Sequence, residues 1–300
     1  MAPLKTWVSA FRLRTLPLAL SSIMMGTFLA ISKGYFDVLV FILGVITTIF
    51  LQILSNLAND YGDASSGVDS HEREGPQRTV QAGLISKEAM KKALFLFVAL
   101  SLVSGLLLIW VALGERWKEA VLFLILGFAS IGAAIKYTVG KNPYGYAGWG
   151  DFFVMVFFGF VGVSGSFYLL VGSYDPLVIL PSLSTGFFSV AVLNVNNIRD
   201  IESDKKSGKY SLPVRLGRAK AVLYHWSLLF LGFLASAVFV LITGSTLQAW
   251  VFIGITPLLF INARAVSKKT LPSELDPYLK QMAITTLLYV VLFGIGQIQF

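Results

Sequence analysis

Apolar residues in this chain arrive in long blocks, with polar residues gathered between them. Neither the alternation of a half-buried strand nor the narrow stripe of a surface helix recurs. Nine blocks fall at about 16–33, 36–59, 91–113, 118–139, 150–172, 176–198, 221–243, 246–265 and 281–298. Each is close to the roughly 20 residues a helix needs to cross a hydrocarbon core. The pattern predicts an all-α polytopic membrane protein: nine transmembrane helices in one domain over residues 1–300. Glycines inside several blocks suit close helix packing in lipid.

The polar stretches between the blocks are unequal. The N-terminus and the loops near 60–90, 136–149, 199–220 and 264–280 carry 21 of the 24 Lys and Arg, leaving Lys33, Arg116 and Lys118 for the other side. The positive-inside rule then predicts that the N-terminus and these loops face the cytoplasm of a cell inner (plasma) membrane, with Phe300 outside. The two longest loops follow helices 2 and 6, which run in the same direction. That spacing suggests two parallel four-helix units with a ninth helix added.

Composition agrees. Only 13% of the 300 residues are charged and 56% are hydrophobic, against roughly 25% charge in soluble domains. The formal charge of +8 could point to nucleic acid, but the cations sit in membrane-flanking loops, so no nucleic-acid partner is expected. There is no Cys, which excludes disulfides and thiolate chemistry. The two His, His71 and His225, lie too far apart to suggest a His metal site. The first block, after Arg12 and Arg14, is long enough to be a retained helix, so no cleaved signal is expected.

Two acidic clusters stand out. Asn56, Asn59, Asp60 and Asp63 fall at i, i+3, i+4 and i+7, one face of a helix, followed by Gly67 and Asp69. Asn196, Asn197, Arg199, Asp200 and Asp204 form the second, again with Asn, Asp200 and Asp204 on one face. Both occupy the same-side ends of their helices. A carboxylate at the centre of a membrane helix costs about 2.5–3.5 kcal/mol, and less near the interface. Facing carboxylates would also repel one another unless a hard cation joined them. Mg²⁺ takes one or two protein carboxylates together with substrate phosphate oxygens, so two acid walls suit Mg²⁺ with a diphosphate. Arg12, Arg78, Lys136 and Lys209 accompany the acids and could bind the phosphate oxygens. Tyr137 opens a polar stretch, Lys136 to Asp151, and its ring face could flank a cation. The blander reading of these residues is solvated loop acids, interface aromatics and positive-inside cations.

The order of these motifs resembles the UbiA superfamily of intramembrane prenyltransferases. Asn59-Asp60-Tyr61-x-Asp63-x-x-x-Gly67-x-Asp69 resembles the first motif of its 1,4-dihydroxy-2-naphthoate polyprenyltransferase branch. Asn197-Ile198-Arg199-Asp200-x-x-x-Asp204, followed by Gly208-Lys209-x-Ser211-Leu212, looks like the second. Arg12-x-x-Thr15-Leu16-Pro17 and Tyr137-Thr138-x-Gly140 are similar to two further signatures, and Val139 and Lys141 depart from the Gly and Pro expected there. The likeness spans nearly the whole chain.

The resemblance implies a helical bundle with a central cavity open to the cytoplasmic side. It implies a Mg²⁺ site at Asp60, Asp63, Asp69, Asp200 and Asp204. It implies diphosphate and substrate binding by Arg12, Asn56, Asn59, Arg78, Lys136, Asn197, Arg199 and Lys209, with Tyr137 at the reacting carbon. The activity implied is transfer of a polyprenyl group from a polyprenyl diphosphate to 1,4-dihydroxy-2-naphthoate, with loss of CO₂, giving demethylmenaquinone. An acceptor such as 4-hydroxybenzoate is the alternative within the fold, and the Gly67-x-Asp69 spacing argues against it. A CDP-alcohol phosphotransferase would need an Asp-Gly-x-x-Ala-Arg run, which is missing. An ion-coupled transporter would place polar groups on broken helices near the midplane, whereas both clusters here lie at one face.

Overall fold

The computed structural model describes residues 2–66, 78–244 and 246–298. Among these residues there is no strand. That follows from the solvent: lipid offers no hydrogen-bond partner to the backbone, so each span must satisfy its own N–H and C=O groups.

Among the described residues, nine spans are long and apolar enough to cross a membrane. In chain order they are α1 (Leu4–Ser32), α2 (Val38–Ser66), α3 (Lys87–Leu113), α4 (Trp117–Lys136), α5 (Gly150–Val171), α6 (Pro176–Arg199), α7 (Arg218–Thr243), α8 (Leu247–Lys268) and α9 (Pro272–Gln297). The nine-helix, all-α architecture is the one the hydrophobic blocks predict.

Two large apolar cores organise the bundle, and a small third one, Val195, Ile198, Ala221, Val266 and Leu275, lies near the end of α6. The larger joins α1 and α5–α9 around Met25, Phe188, Phe252, Tyr289 and Phe293. Its axis is α6, the most buried span, packed on α5, α7 and α9. The smaller joins α2–α4 to the start of α1 through Leu54, Leu57, Met90, Phe97 and Ala10. Large apolar side chains such as Phe95, Trp110, Phe128 and Leu241 are exposed and belong to the lipid side.

Three elements depart from the expected boundaries, each for a physical reason. α1 starts at Leu4, not near 16, because an amphipathic turn of helix, Leu4–Phe11, precedes the apolar block. The span then breaks at Arg12, whose φ of 49° makes it the one non-glycine with positive φ among the described residues. α2 runs on to Ser66, past the expected end at 59, which puts Asp60 and Asp63 on its last turns. α9 begins at Pro272, nine residues ahead of its apolar block, because its charged first turns sit among the polar loops. Within α5 the helix widens into π-type turns from Met155 to Ser164, a distortion often found near functional sites.

Candidate active site

The first acid motif is assembled from α2 and the turn after it. Asp60 is 1% exposed. It accepts hydrogen bonds from the Thr79 amide at 3.1 Å, the Thr79 hydroxyl at 2.5 Å and the Val80 amide at 3.4 Å. One turn on, Asp63 pairs with Arg78 and accepts from the Tyr146 hydroxyl at 2.5 Å. Arg78 also donates to the Asn59 carbonyl. A buried carboxylate survives only with such partners, since the desolvation of an unpaired charge costs several kcal/mol.

Gly62 sits between the two acids and faces Thr138. A Cβ there would lie 2.7 Å from the Thr138 carbonyl group. Glycine therefore lets α2 meet the loop after α4, and Thr138 locks the contact by donating to the Ala58 carbonyl at 2.9 Å.

The second motif forms where α6 ends. The helix turns at Asp200 and resumes as a short helix, Ile201–Lys206. Asn196, Asp200 and Asp204 nonetheless keep helical spacing, because the Asp200 amide donates to the Asn196 carbonyl and the Asp204 amide to the Asp200 carbonyl. Arg199 grips both oxygens of Asp200 at 2.7 Å and reaches Asp276 on α9, also at 2.7 Å. Lys209 pairs with Asp204 at 3.2 Å. Burial pushes the Asp204 carboxyl above the ordinary carboxylate range; the nearby charges of Asp200 and Asp63 add to this and Lys209 opposes it. The two motifs converge at one end of the bundle, where Asp60, Arg78 and Thr79 line a common cavity with Asn196 and Arg199.

This cavity, of about 330 Å³, opens beside them, lined by Arg12, Asp60, Arg78, Thr79, Asn196 and Arg199 among others. Arg12 reaches its wall because α1 breaks there. Asn56 holds that break: its amide donates to the Phe11 carbonyl at 2.9 Å and to the Thr15 hydroxyl at 3.0 Å.

Several expected site residues stand elsewhere than the helix-face argument implies. Asn56 is spent on the α1 break, not turned to the cavity. The Asn59 side chain meets Thr138 at 3.3 Å. Lys136 is exposed and, among the described residues, pairs with no carboxylate. Asp69 lies outside the described residues. Tyr137 is half-buried, and burial together with Asp204, Asp151 and Asp63 pushes its hydroxyl above the ordinary tyrosine range. The ring therefore stays neutral near the acids.

Thr79, Tyr146 and Asp276 are partners the sequence did not single out. Tyr146 reads as one more interface aromatic, and Asp276 as a loop acid.

The donor set is suited to a hard dication. The two motifs offer the carboxylates of Asp60, Asp63, Asp200 and Asp204 and the amide oxygens of Asn59 and Asn197, without sulfur or imidazole. Among the described residues, two buried oxygens, Asp204 Oδ2 and Asn197 Oδ1, have no hydrogen-bond partner. Among the described residues no three acids form a ready cluster, because Asp63, Asp200 and Asp204 are each held by a cation of their own.

Known proteins give the same picture. The chain is 46% identical, over 97% of its length and 94% of the relative's, to 1,4-dihydroxy-2-naphthoate octaprenyltransferase of Escherichia coli (strain K12). In fold it is similar to the apo structure of a UbiA homolog from Aeropyrum pernix K1, with a TM-score of 0.70 at 16% identity, covering 95% of this chain and 97% of that one. A UbiA homolog from Archaeoglobus fulgidus, solved with GPP and Mg²⁺ bound, superposes at a TM-score of 0.59 and 20% identity, covering 96% and 99%. The pattern of the UbiA prenyltransferase family matches residues 19–292. The chain belongs to the UbiA prenyltransferase family.

Proposed function

We propose that this protein transfers a polyprenyl group from a polyprenyl diphosphate to 1,4-dihydroxy-2-naphthoate, with loss of CO₂, giving demethylmenaquinone. The observation that carries the reading is the convergence of two acid motifs, each clasped by cations, in a chain 46% identical to a named enzyme of that activity. The whole chain, 1–300, acts as one domain in the cell inner membrane. The gathering of 21 of 24 Lys and Arg in the N-terminus and the loops that carry the acids supports a cytoplasmic site and N-terminus.

Asp60, Asp63, Asp200 and Asp204 would hold Mg²⁺, with Asn197 Oδ1 beside them and Asp69 and Asn59 as further oxygen donors. Mg²⁺ bound there neutralises the charge that builds on the departing diphosphate. Arg78 and Lys209 are the first cations for its oxygens, and Arg12, Arg199 and Lys136 the outer ones. Arg78 and Lys209 now pair with Asp63 and Asp204, the carboxylates that would hold the metal, and would bind phosphate oxygens once those carboxylates are engaged there. The neutral Tyr137 ring offers its face to the allylic carbon as positive charge develops. Asn56 serves the site by keeping Arg12 at the cavity wall. The prenyl chain, wholly apolar, lies along the lipid-facing helices.

The test is a transfer assay with purified protein, several prenyl diphosphates, and dihydroxynaphthoate or 4-hydroxybenzoate as acceptor. Product with dihydroxynaphthoate, CO₂ release and loss of activity in chelator are expected. Faster turnover of 4-hydroxybenzoate overturns the acceptor, and full activity in chelator overturns the metal.

A further inference from the structure

Asp151 stands outside both acid motifs, in the first turn of α5. Among the described residues it has no cation within ion-pair distance. Its partner is a phenol: Tyr224, on α7, donates its hydroxyl to Asp151 Oδ2 at 2.9 Å. This separates it from Asp63, Asp200 and Asp204, which face Arg78, Arg199 and Lys209. An ionisable group at the start of a membrane helix, without a counter-charge, marks a functional position.

Its surroundings say which function. Gly150 runs directly under the Tyr137 ring. A Cβ at Gly150 would lie 3.2 Å from Tyr137 Cε2 and 3.5 Å from its hydroxyl oxygen. The Tyr137 hydroxyl thus borders the start of α5 and the Asp151 corner, while Asp63 and Asp204 act on the same ring. Tyr144 closes the far edge, its ring 5.4 Å from that of Tyr137 and stacked at 3.9 Å on Phe153. An aromatic corner, with the Tyr137 and Tyr144 rings set edge-on at 74° and one carboxylate that faces a phenol in place of a cation, therefore adjoins the diphosphate end.

Resting on the function proposed above, we propose that Asp151 is the proton acceptor for the hydroxyl of the aromatic acceptor, and that Tyr224 positions it. The bookkeeping closes on the substrates alone. The ring carbon bearing the carboxylate bonds to C1 of the prenyl group, and the allylic C–O bond breaks with its electron pair leaving on diphosphate. The neighbouring ring hydroxyl passes its proton to Asp151 and becomes a ketone. The carbon–carboxylate bond then breaks and CO₂ leaves. Its electron pair restores the ring, and the oxygen takes the proton back from Asp151.

The experiment is steady-state kinetics on the purified full chain. For Asp151→Asn, kcat falls about 100-fold or more, the scale of a lost general base, with the KM for prenyl diphosphate within about twofold of wild type. Asp151→Glu, which retains a carboxylate, recovers at least tenfold of that loss. Tyr224→Phe leaves the acid in place and lowers kcat about tenfold. An Asp151→Asn kcat within threefold of wild type overturns the proposal. So does an Asp151→Glu variant that folds but is as slow as Asp151→Asn, or a prenyl diphosphate KM that rises as much as kcat falls. If Asp151→Asn does not fold, Asp151→Glu at less than one-hundredth of the wild-type kcat overturns it. Should wild type ignore dihydroxynaphthoate but prenylate another phenol, the proposed function fails, and the same variants are then compared on that phenol.

Discussion

Both ends of the bundle carry exposed ion pairs, such as Arg14–Asp276 at one and Lys33–Asp175 at the other, but among the described residues only one end buries them as well. At the end that gathers the acid motifs, Arg199 and Asp200 pair with side chains only 2% and 5% exposed. Asp63–Arg78 and Asp204–Lys209 are nearly as buried. At the other end, Lys33 and Asp175 meet at 3.1 Å with 54% and 25% exposure. Arg116 and Glu119 form a pair of neighbours along the chain, capped by Tyr168. Burying an ion pair is a poor route to stability, because desolvation offsets the Coulomb gain. Three such pairs at one end, with a cavity that Arg78 and Arg199 of two of them line, therefore argue for chemistry. The exposed pairs of the far end are what a membrane helix carries for its interface alone.

The sharpest way to break this contrast is to neutralise the acids. Asp60→Asn and Asp200→Asn keep the shape and remove the charge. Each is expected to lower kcat by about 100- to 1000-fold, the scale of losing one electrostatic contributor to a transition state. The double variant should be little worse than either single one, because the motifs act as one unit. Thermal unfolding in detergent should show that both single variants fold. A kcat near wild type in either would put that acid among the solvated loop residues.

Next come the cations. Arg78→Ala breaks a buried ion pair with Asp63, a loss of about 3 kcal/mol or more. The KM for prenyl diphosphate should rise at least tenfold while acceptor KM changes little, if Arg78 also meets phosphate. Lys209→Ala should do the same through Asp204. Equal changes in the two KM values would make these pairs purely structural.

How much of this contrast the sequence carried depends on the range of each interaction. The acids were legible because four polar residues at i, i+3, i+4 and i+7 in an apolar block have no other rationale on a membrane helix. The cations were legible as a class, since an acid wall and a diphosphate both require them. Which cation meets which acid was not. Arg78 stands 15 residues after Asp63 in the chain, and Tyr146, in the segment between α4 and α5, stands 83 residues after it, so tertiary contact alone decides these pairs. The break at Arg12 was hidden for a different reason. No Gly or Pro marks it, and the distant Asn56 enforces it. α9 was cut short because Glu274, Asp276 and Lys280 read as loop, yet Asp276 is charged so that it can receive Arg199.

A change without charge sharpens the comparison further. Gly62→Ala would drive a methyl group into the backbone of Thr138. Overpacking of this kind costs about 1–3 kcal/mol. Because the strain falls between Asp60 and Asp63, thermal stability and kcat should fall together. The same methyl at Gly127 on α4, where nothing lies within 4 Å, should change neither. Equal effects at the two positions would mean that the α2–loop junction has no special fit.

The smallest effects are expected at the far end, and their order can be argued. Lys33→Ala removes one half of an exposed pair, and such pairs contribute at most about 1 kcal/mol. Asp175 does more than receive Lys33. Its Oδ1 accepts from the Leu177 amide at 2.9 Å, capping the first turn of α6, Pro176–Val178. Losing such a cap typically costs about 1 kcal/mol. Asp175→Ala should therefore lower the melting temperature in detergent more than Lys33→Ala does. Both should leave kcat and KM at their wild-type values, since α6 carries its acid motif at the opposite end, some 25 residues and a full membrane crossing away. A loss of turnover in Lys33→Ala would break the contrast from the side where it looks safest, because the surface pair would then be coupled to the chemistry through the length of α6.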